Sequence, residues 1–355
     1  MPVSFLSNDQ RENYGRYAGP PSPHDLARYF HLDDTDHALI AQKRGAHNRL
    51  GFAVQLGTVR YLGTFLEDPL AVPQPVLRTL AKQLRIAALD KASAYSAGEQ
   101  RWQHATEIRA SYGYVEFTEP LIAFRLTRWL YALCWTGTDR PSVLFERATT
   151  WLVTHKVLLP GCTTLERYVA RLRSRVEERL WRSLGNGISL DQQTRLEGLL
   201  ISSGGTRNSP LDRLRTGPVV ASSRSMSLAL MRLEAVRELG IRLPAAMRIP
   251  ATRVAALARF AGAAKASAIL RRLATLVAFV HCLEASAQDD ALEVLEVILR
   301  ELFGDAVKAD KKSRLRSLKG PGRSGGPSRQ RLSNAAERYL AGRRAAREVV
   351  RADFS

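Results

Sequence analysis

The sequence is 355 residues long and 45% hydrophobic, which is enough for two or three domains with cores of ordinary size. It has 53 lysine and arginine residues against 34 acidic residues, a formal net charge of +19. This excess favours a polyanionic partner, usually nucleic acid and less often a membrane surface. Arginine accounts for 44 of the basic residues, which suits phosphate and guanine contacts, although GC-rich codon usage explains the arginine-to-lysine ratio equally well.

The cysteine content and the apolar segments argue against secretion and a membrane role. Three widely separated cysteines predict free thiols in a reducing compartment. The first ten residues lack the apolar core of a secretory signal. The longest apolar run, Leu273 to Leu283, is too short to span a bilayer and is typical of a buried helix. We therefore expect a cytoplasmic protein without membrane contact.

Apolar residues recur at helical spacing along nearly the whole chain, which predicts an all-α fold of two or three consecutive helical domains. The first domain is residues 1–86. Ser22 precedes a short helix, and Asp33 and Asp34 are predicted N-caps of the next one, because their carboxylates can accept the free N–H groups of its first turn. The predicted helices are residues 24–30, 35–43, 46–62 and one that follows Pro75.

The second predicted domain, residues 87–200, includes a helix-turn-helix-like unit. Pro120 and Pro141 stand where proline is tolerated, in the first turn of a helix. The predicted helices are residues 97–112, 120–135, 142–155 and 164–181. A linker follows at residues 201–226, where Ser, Gly, Thr and Pro predict a surface connection around a short helix.

The third predicted domain, residues 227–319, ends in a long helical hairpin. The apolar residues of its first arm are Leu270, Leu273, Val277, Val280 and Leu283. Those of its second arm are Leu292, Leu295, Leu299 and Leu302, and Asp289 and Asp290 are predicted to start that arm. Residues 320–355 form a basic tail that is predicted to be disordered, and the last 48 residues carry a net charge of +10.

The segment Pro141 to Arg182 is the most informative motif for nucleic-acid binding. It predicts a helix, a tight turn at Pro160–Gly161 and a second helix capped by Thr163 or Thr164. Along the second helix the apolar face is formed by Leu165, Val169, Leu172, Val176 and Leu180. The opposite face carries Arg167, Arg171, Arg175 and Arg182. Such a helix can read a major groove, or it can be a solvated helix whose arginines pair with Glu177 and Glu178.

A second basic group lies around the start of the predicted helix 46–62. Its members are Lys43, Arg44, His47, Asn48, Arg49 and Arg60. Free backbone N–H groups at a helix start favour a phosphate, and an asparagine can bind adenine. A solvated helix start explains any one of these residues at least as well.

No motif indicates catalysis, a metal site or a cofactor. The sequence has no phosphate-binding loop of the GxxxxGK type and no HExxH. Asp33, Asp34 and Asp36 are the only dense carboxylate cluster, and helix capping is the preferred interpretation, since a two-metal nuclease needs carboxylates from separate elements. The adjacent His281 and Cys282 are predicted to belong to a helix core.

Three segments together resemble the N-terminal region of the Tn-three family of replicative transposases. They are PVSFLSNDQRENYGRY (Pro2 to Tyr17), SPHDLARYFHLDD (Ser22 to Asp34) and RGAHNRLGFAVQLGTVRYLGTFLEDP (Arg44 to Pro69). The resemblance implies a region that binds the terminal inverted repeats of a transposon. It also implies that the catalytic acidic triad belongs to an RNase-H-like domain several hundred residues further on, so no residue of this chain can inherit it.

The resemblance extends to about Lys319 and then stops. We expect a chain truncated before the catalytic domain, which binds DNA without cutting it and is not itself an enzyme. A reading-frame change or truncation would explain the tail, and a natural basic tail is the alternative.

The expected partner is double-stranded DNA at the terminal inverted repeats. Full-length transposase, or a second copy of the chain, is a possible protein partner, and no cofactor is expected. The alternatives are a fragment that inhibits full-length transposase and a protein that binds nucleic acid non-specifically. The expected location is the bacterial cytoplasm, at the nucleoid when DNA is bound.

Overall fold

The computed structural model describes residues 4–87, 93–96, 98–201, 209–243, 248–263 and 272–318. The predicted all-α fold class is confirmed, and a single parallel bridge between Val115 and Val157 is the only β-pairing in the described residues. The helices are α1 Asn8–Glu12, α2 Pro23–Tyr29, α3 Asp34–Ala41, α4 Ala46–Leu62, α5 Gln74–Gln83, α6 Ser93–Ser96, α7 Gln100–Tyr112, α8 Pro120–Thr136, α9 Pro141–Thr154, α10 Cys162–Gly185, α11 Leu190–Gly198, α12 Pro210–Arg215, α13 Ser223–Glu238, α14 Ala251–Ala263 and α15 Arg272–Leu318. None of these helices combines the length and hydrophobicity that a bilayer span requires.

The chain forms two compact units. One comprises residues 1–217 and 231–288, and the other comprises residues 218–230 and 289–355. The domain boundaries predicted from sequence, near residues 86, 200 and 226, stay predictions. The predicted basic tail, 320–355, lies outside the described residues.

The first core of the larger unit surrounds α4, which is buried continuously from Leu50 to Val59. Two glycines let neighbouring rings approach this helix closely. A Cβ at Gly51 would collide with the Tyr95 ring, and one at Gly57 would collide with the Phe30 ring. Of the two predicted caps nearby, Asp33 is confirmed because its side chain caps α3, whereas Asp34 is wrong because it is the first residue of that helix. Ser22, which precedes α2 as predicted, caps that helix with its side chain.

A buried polar network joins α4, α6 and α7 inside this core. The Gln55 amide donates to the Tyr95 hydroxyl over 2.7 Å, and that hydroxyl lies 2.9 Å from His104 Nδ1. Burial lowers the pKa of His104, and the charge of Lys43 lowers it further, while Glu107 acts in the opposite direction. The folded state therefore favours a neutral imidazole at this position.

Two further cores share α10. Leu165, Val169, Leu172 and Val176 pack with α8 and α9 in the second core. Leu180 and Leu184 pack with residues of α11 to α15 in the third. The short helix predicted within the linker is present as α12, and its Leu211 and Leu214 are buried in the third core.

The predicted helical hairpin is wrong, because α15 is one uninterrupted helix from Arg272 to Leu318. The sequence from Glu284 to Phe303 has no glycine or proline, so nothing in it breaks a helix, and Asp289 and Asp290 lie within the helix. In the first predicted arm Val277, Val280 and Leu283 are buried, whereas Leu270 lies outside the described residues. Leu292 and Leu302, predicted to pack from the second arm, are exposed.

Candidate nucleic-acid interface

The helix-turn-helix-like unit consists of α9 and α10, and the connection between them is close to the predicted length but lacks the tight turn at Pro160–Gly161. It covers residues 155–161 and is held by long-range backbone bonds, in which the Leu158 N–H donates to Val115 O and the Leu159 N–H donates to Gly63 O, both over 2.9 Å. This pairing keeps the chain extended where a tight turn was expected. The predicted threonine cap is also wrong, because Gly161 is the N-cap of α10 and no side chain bonds to the first turn.

The inner face of α10 is as the sequence predicts. Leu165, Val169, Leu172, Val176 and Leu180 are all buried. Because this stripe is fixed against α8 and α9, the opposite side of the helix faces solvent.

The outer face of α10 brings together the four predicted arginines, here called the α10 ridge: Arg167, Arg171, Arg175 and Arg182. All four are exposed. Only Arg182 has a carboxylate in ion-pair range among the described residues, Glu178 at 3.9 Å, while Glu177 pairs instead with Arg173 at 3.2 Å. The ion-paired alternative therefore accounts for one of the four arginines.

The second predicted group does not form one free surface. The Lys43 ammonium lies 2.5 Å from a Glu107 carboxylate oxygen and 4.9 Å from the centre of the Phe52 ring. Arg60 donates two bonds of 2.8 Å to Asp36, whose side chain is fully buried. Burial raises the pKa of Asp36, but hydrogen bonds from Arg60 and Tyr112 outweigh it and hold the pKa below its usual value. Both cations therefore form ion pairs within the protein and stabilise the packing around α4.

The remaining members lie at the start of α4. Arg44 and Arg49 are exposed, whereas His47 and Asn48 are half-buried. The Asn48 amide donates to the Arg44 carbonyl over 2.8 Å and is thus used locally. Arg44 and Arg49 are the two residues of this group that present free charge to solvent.

Glu166 is the site residue whose role the sequence interpretation missed. Its carboxylate is 2% exposed, accepts the Phe5 and Leu6 N–H groups over 2.8 and 3.3 Å, and binds Arg11 over 2.8 Å. It thereby attaches the N-terminal segment to the N-terminal part of α10. Its place beside the buried stripe of α10 is the signal that could have revealed an internal role, since a carboxylate there needs partners.

The described residues hold no group of three or more His, Cys, Asp or Glu side chains arranged to bind a metal ion. The capping interpretation of the aspartate cluster is confirmed, because Asp33 caps α3 and Asp36 completes the capping box. His281 and Cys282 are half-buried on α15, and burial raises the pKa of the Cys282 thiol.

Comparison with known proteins relates this chain to transposases. Residues 5–172 match the family model described as a domain of unknown function, DUF4158. The transposase for transposon gamma-delta of Escherichia coli is 42% identical over 325 residues, covering 90% of this chain and 32% of that protein. This chain is a homologue of the Tn-three family transposases.

Other transposases of the family match over a similar part of the chain. The transposase for transposon Tn501 of Pseudomonas aeruginosa is 32% identical over 81% of the chain, and the transposase for Tn3926 of Escherichia coli is 30% identical over 85%. The chain spans about a third of the length of these transposases, 29% and 31% respectively. The DUF4158 match includes Arg167 and Arg171 of the α10 ridge and ends within α10.

Proposed function

We propose that this chain is a DNA-binding region of a Tn-three family transposase and that it recognises the terminal inverted repeats of a transposon. The observation that carries the proposal is the α10 ridge on the outer side of a helix whose inner side is buried. The role belongs in the bacterial cytoplasm, at chromosomal or plasmid DNA.

The dimensions of the ridge suit a DNA groove. From Arg167 to Arg182 the helix rises about 22 Å, at about 1.5 Å per residue, so the ridge is long enough to contact several successive base pairs from within the major groove. Arg167, Arg171 and Arg175 form no ion pair with the described residues, so no ion pair has to break when they meet phosphates or guanine. The relatives indicate the class of DNA, since each is a transposase for a particular transposon.

Binding to two duplexes tests the proposal. One is the terminal repeat of the chain's own element and the other is the same composition in scrambled order, both at moderate salt. We expect clearly tighter binding to the repeat. Arg171→Gln or Arg175→Gln should reduce that preference by about 1–3 kcal/mol if the substituted arginine binds a base edge. Equal affinity for the two duplexes in the unaltered protein would contradict the proposal.

We further propose that the chain by itself binds without cutting. This part of the proposal rests on the family resemblance, which implies that the catalytic acidic triad belongs to a separate RNase-H-like domain. Incubation of a labelled repeat with the chain and magnesium should give no cleavage product, and the appearance of specific nicks would overturn this part.

Occupancy of the repeats would make the chain a competitor of a longer homologue. Co-expression with a full-length transposase of the same element should then lower the transposition frequency. Gln substitutions of Arg171 and Arg175 should restore it, because they weaken DNA binding. Inhibition that survives those substitutions would indicate protein pairing with the transposase instead.

A further inference from the structure

The solvent side of α8 exposes large apolar side chains together with arginines that the ridge does not explain. Its members, here called the α8 outer face, are Leu121, Phe124, Arg125 and Arg128. Leu121 is 66% exposed and Phe124 is 63% exposed, while the inward side of α8 is buried through Ile122, Leu126 and Leu130. Arg125 and Arg128 are exposed and make no ion pair with the described residues.

Contacts between α8 and α10 put this face beside the ridge. The Tyr168 hydroxyl of α10 donates to the Ala123 carbonyl of α8 over 3.1 Å. Near the other end of α8 an Arg179 guanidinium nitrogen of α10 donates to the Tyr131 hydroxyl over 3.0 Å. Residue numbers rise together along the two helices, so they run side by side in the same direction.

Helical geometry then settles which edges adjoin. On α8, Phe124 and Arg128 lie next to the side that contacts α10, toward solvent. On α10, Arg171 and Arg175 lie next to the side that contacts α8, also toward solvent. The α8 outer face and the α10 ridge are therefore two halves of one solvent-facing surface.

We propose that the α8 outer face is the part of the interface that binds the DNA backbone bordering the groove that α10 enters. This proposal rests on the proposed function. The major groove is about 12 Å wide and admits one helix, while packed helices lie about 8–10 Å apart. With α10 in the groove, α8 lies over the phosphates at its rim. Arg125 and Arg128 bind these phosphates, and Phe124 packs against the deoxyribose between them.

Charge favours DNA over a protein partner as the occupant. Helix α8 contains no acidic residue, and of the two glutamates shortly before it Glu116 pairs with Arg109 at 2.6 Å while Glu119 is the N-cap residue. The arginines are continuous with the ridge, so one polyanion can contact both halves.

The test compares full-chain variants in binding the repeat and the scrambled duplex between 50 and 200 mM salt, taken as about the range over which phosphate contacts show their effect. Arg125→Gln with Arg128→Gln should lower affinity for both duplexes by the same factor. It should also reduce the slope of log affinity against log salt by about 1.8, at about 0.9 per phosphate contact. Phe124→Ala should lower the affinity for both duplexes by the same factor without changing the slope of log affinity against log salt.

The matched control is Arg78→Gln with Arg259→Gln, which removes the same charge from exposed positions on α5 and α14. Thermal unfolding of each variant checks the fold. The proposal is overturned if the α8 variant behaves like this control, or if it loses only the preference for the repeat. If the unaltered chain does not prefer the repeat, the proposed function fails, and a reduced salt slope would still support a backbone-binding α8.

Discussion

The ion pair between Arg11 and Glu166 combines burial and charge at the start of α10. Arg11→Ala would leave the carboxylate with only two backbone donors in a site where its exposure is 2%. We expect a loss of about 2 kcal/mol in the free energy of unfolding, measured by urea denaturation. Arg300→Ala is the matched control, because the Arg300–Glu296 pair is more than 70% exposed and should contribute less than about 0.5 kcal/mol.

A double-mutant cycle separates this pair from general disruption. Arg11→Met with Glu166→Leu removes both charges, so it should cost less than the sum of the two single substitutions. Strictly additive losses would show that the two side chains do not act together.

His104 predicts a pH dependence of stability with a definite sign. Because burial lowers its pKa in the folded state, the unfolded chain binds more protons as the pH falls below about 6.5. The contribution of His104 is therefore complete above that pH and is lost as the pH falls through its lowered folded value. The free energy of unfolding should fall between pH 7 and 5, and His104→Gln should flatten the curve. His24→Gln, at an exposed position, is the matched control.

At the scale of the element, α4 depends on the two glycines that face rings. Gly57→Ala would improve helix propensity yet should destabilise the protein by about 2 kcal/mol, since its Cβ would collide with the buried Phe30 ring. Gly304→Ala in α15 is the control. No atom lies within 4 Å of its added Cβ, so it should stabilise by about 0.5–1 kcal/mol. Calorimetric melting of both variants checks the opposite signs, and a neutral Gly57→Ala would contradict the packing of α4.

The contrast between α10 and α15 shows what periodicity can predict. The buried stripe of α10 required only residue types at helical spacing, and that prediction is confirmed. The α15 prediction failed because Asp289 and Asp290 suit a helix start and a helix surface equally well. Local sequence does not distinguish these two, because the difference depends on whether the preceding residues remain helical.

The same limit explains which parts of the candidate site were predictable. The ridge follows from a repeat within one helix, whereas Arg60–Asp36 and Arg11–Glu166 join residues 24 and 155 positions apart. Single-residue chemistry suggested that Lys43 and Arg60 were free for DNA. Only the folded chain shows that carboxylates from other elements already occupy them.

At the scale of the whole molecule, net charge predicts salt-sensitive binding in addition to any specific contact. Residues 320–355 contain 8 arginines and 3 acidic residues. Their removal should reduce affinity for scrambled DNA and the salt slope, while the preference for the repeat persists. Anisotropy titrations of the two chain lengths check this. Complete loss of binding to the repeat in the shorter chain would favour the alternative of charge-driven, non-specific binding.

Helix α10 takes part in two cores at once, with Leu172 and Val176 in one and Leu180 and Leu184 in the other. Because α10 is packed in a core at each end, it cannot rotate about its own axis without repacking both cores. The direction in which its arginines point is thus set before any DNA arrives, and little freedom remains to be lost on contact. Substitutions in the third core, far from any nucleotide, would therefore alter DNA preference by rotating α10 a few degrees.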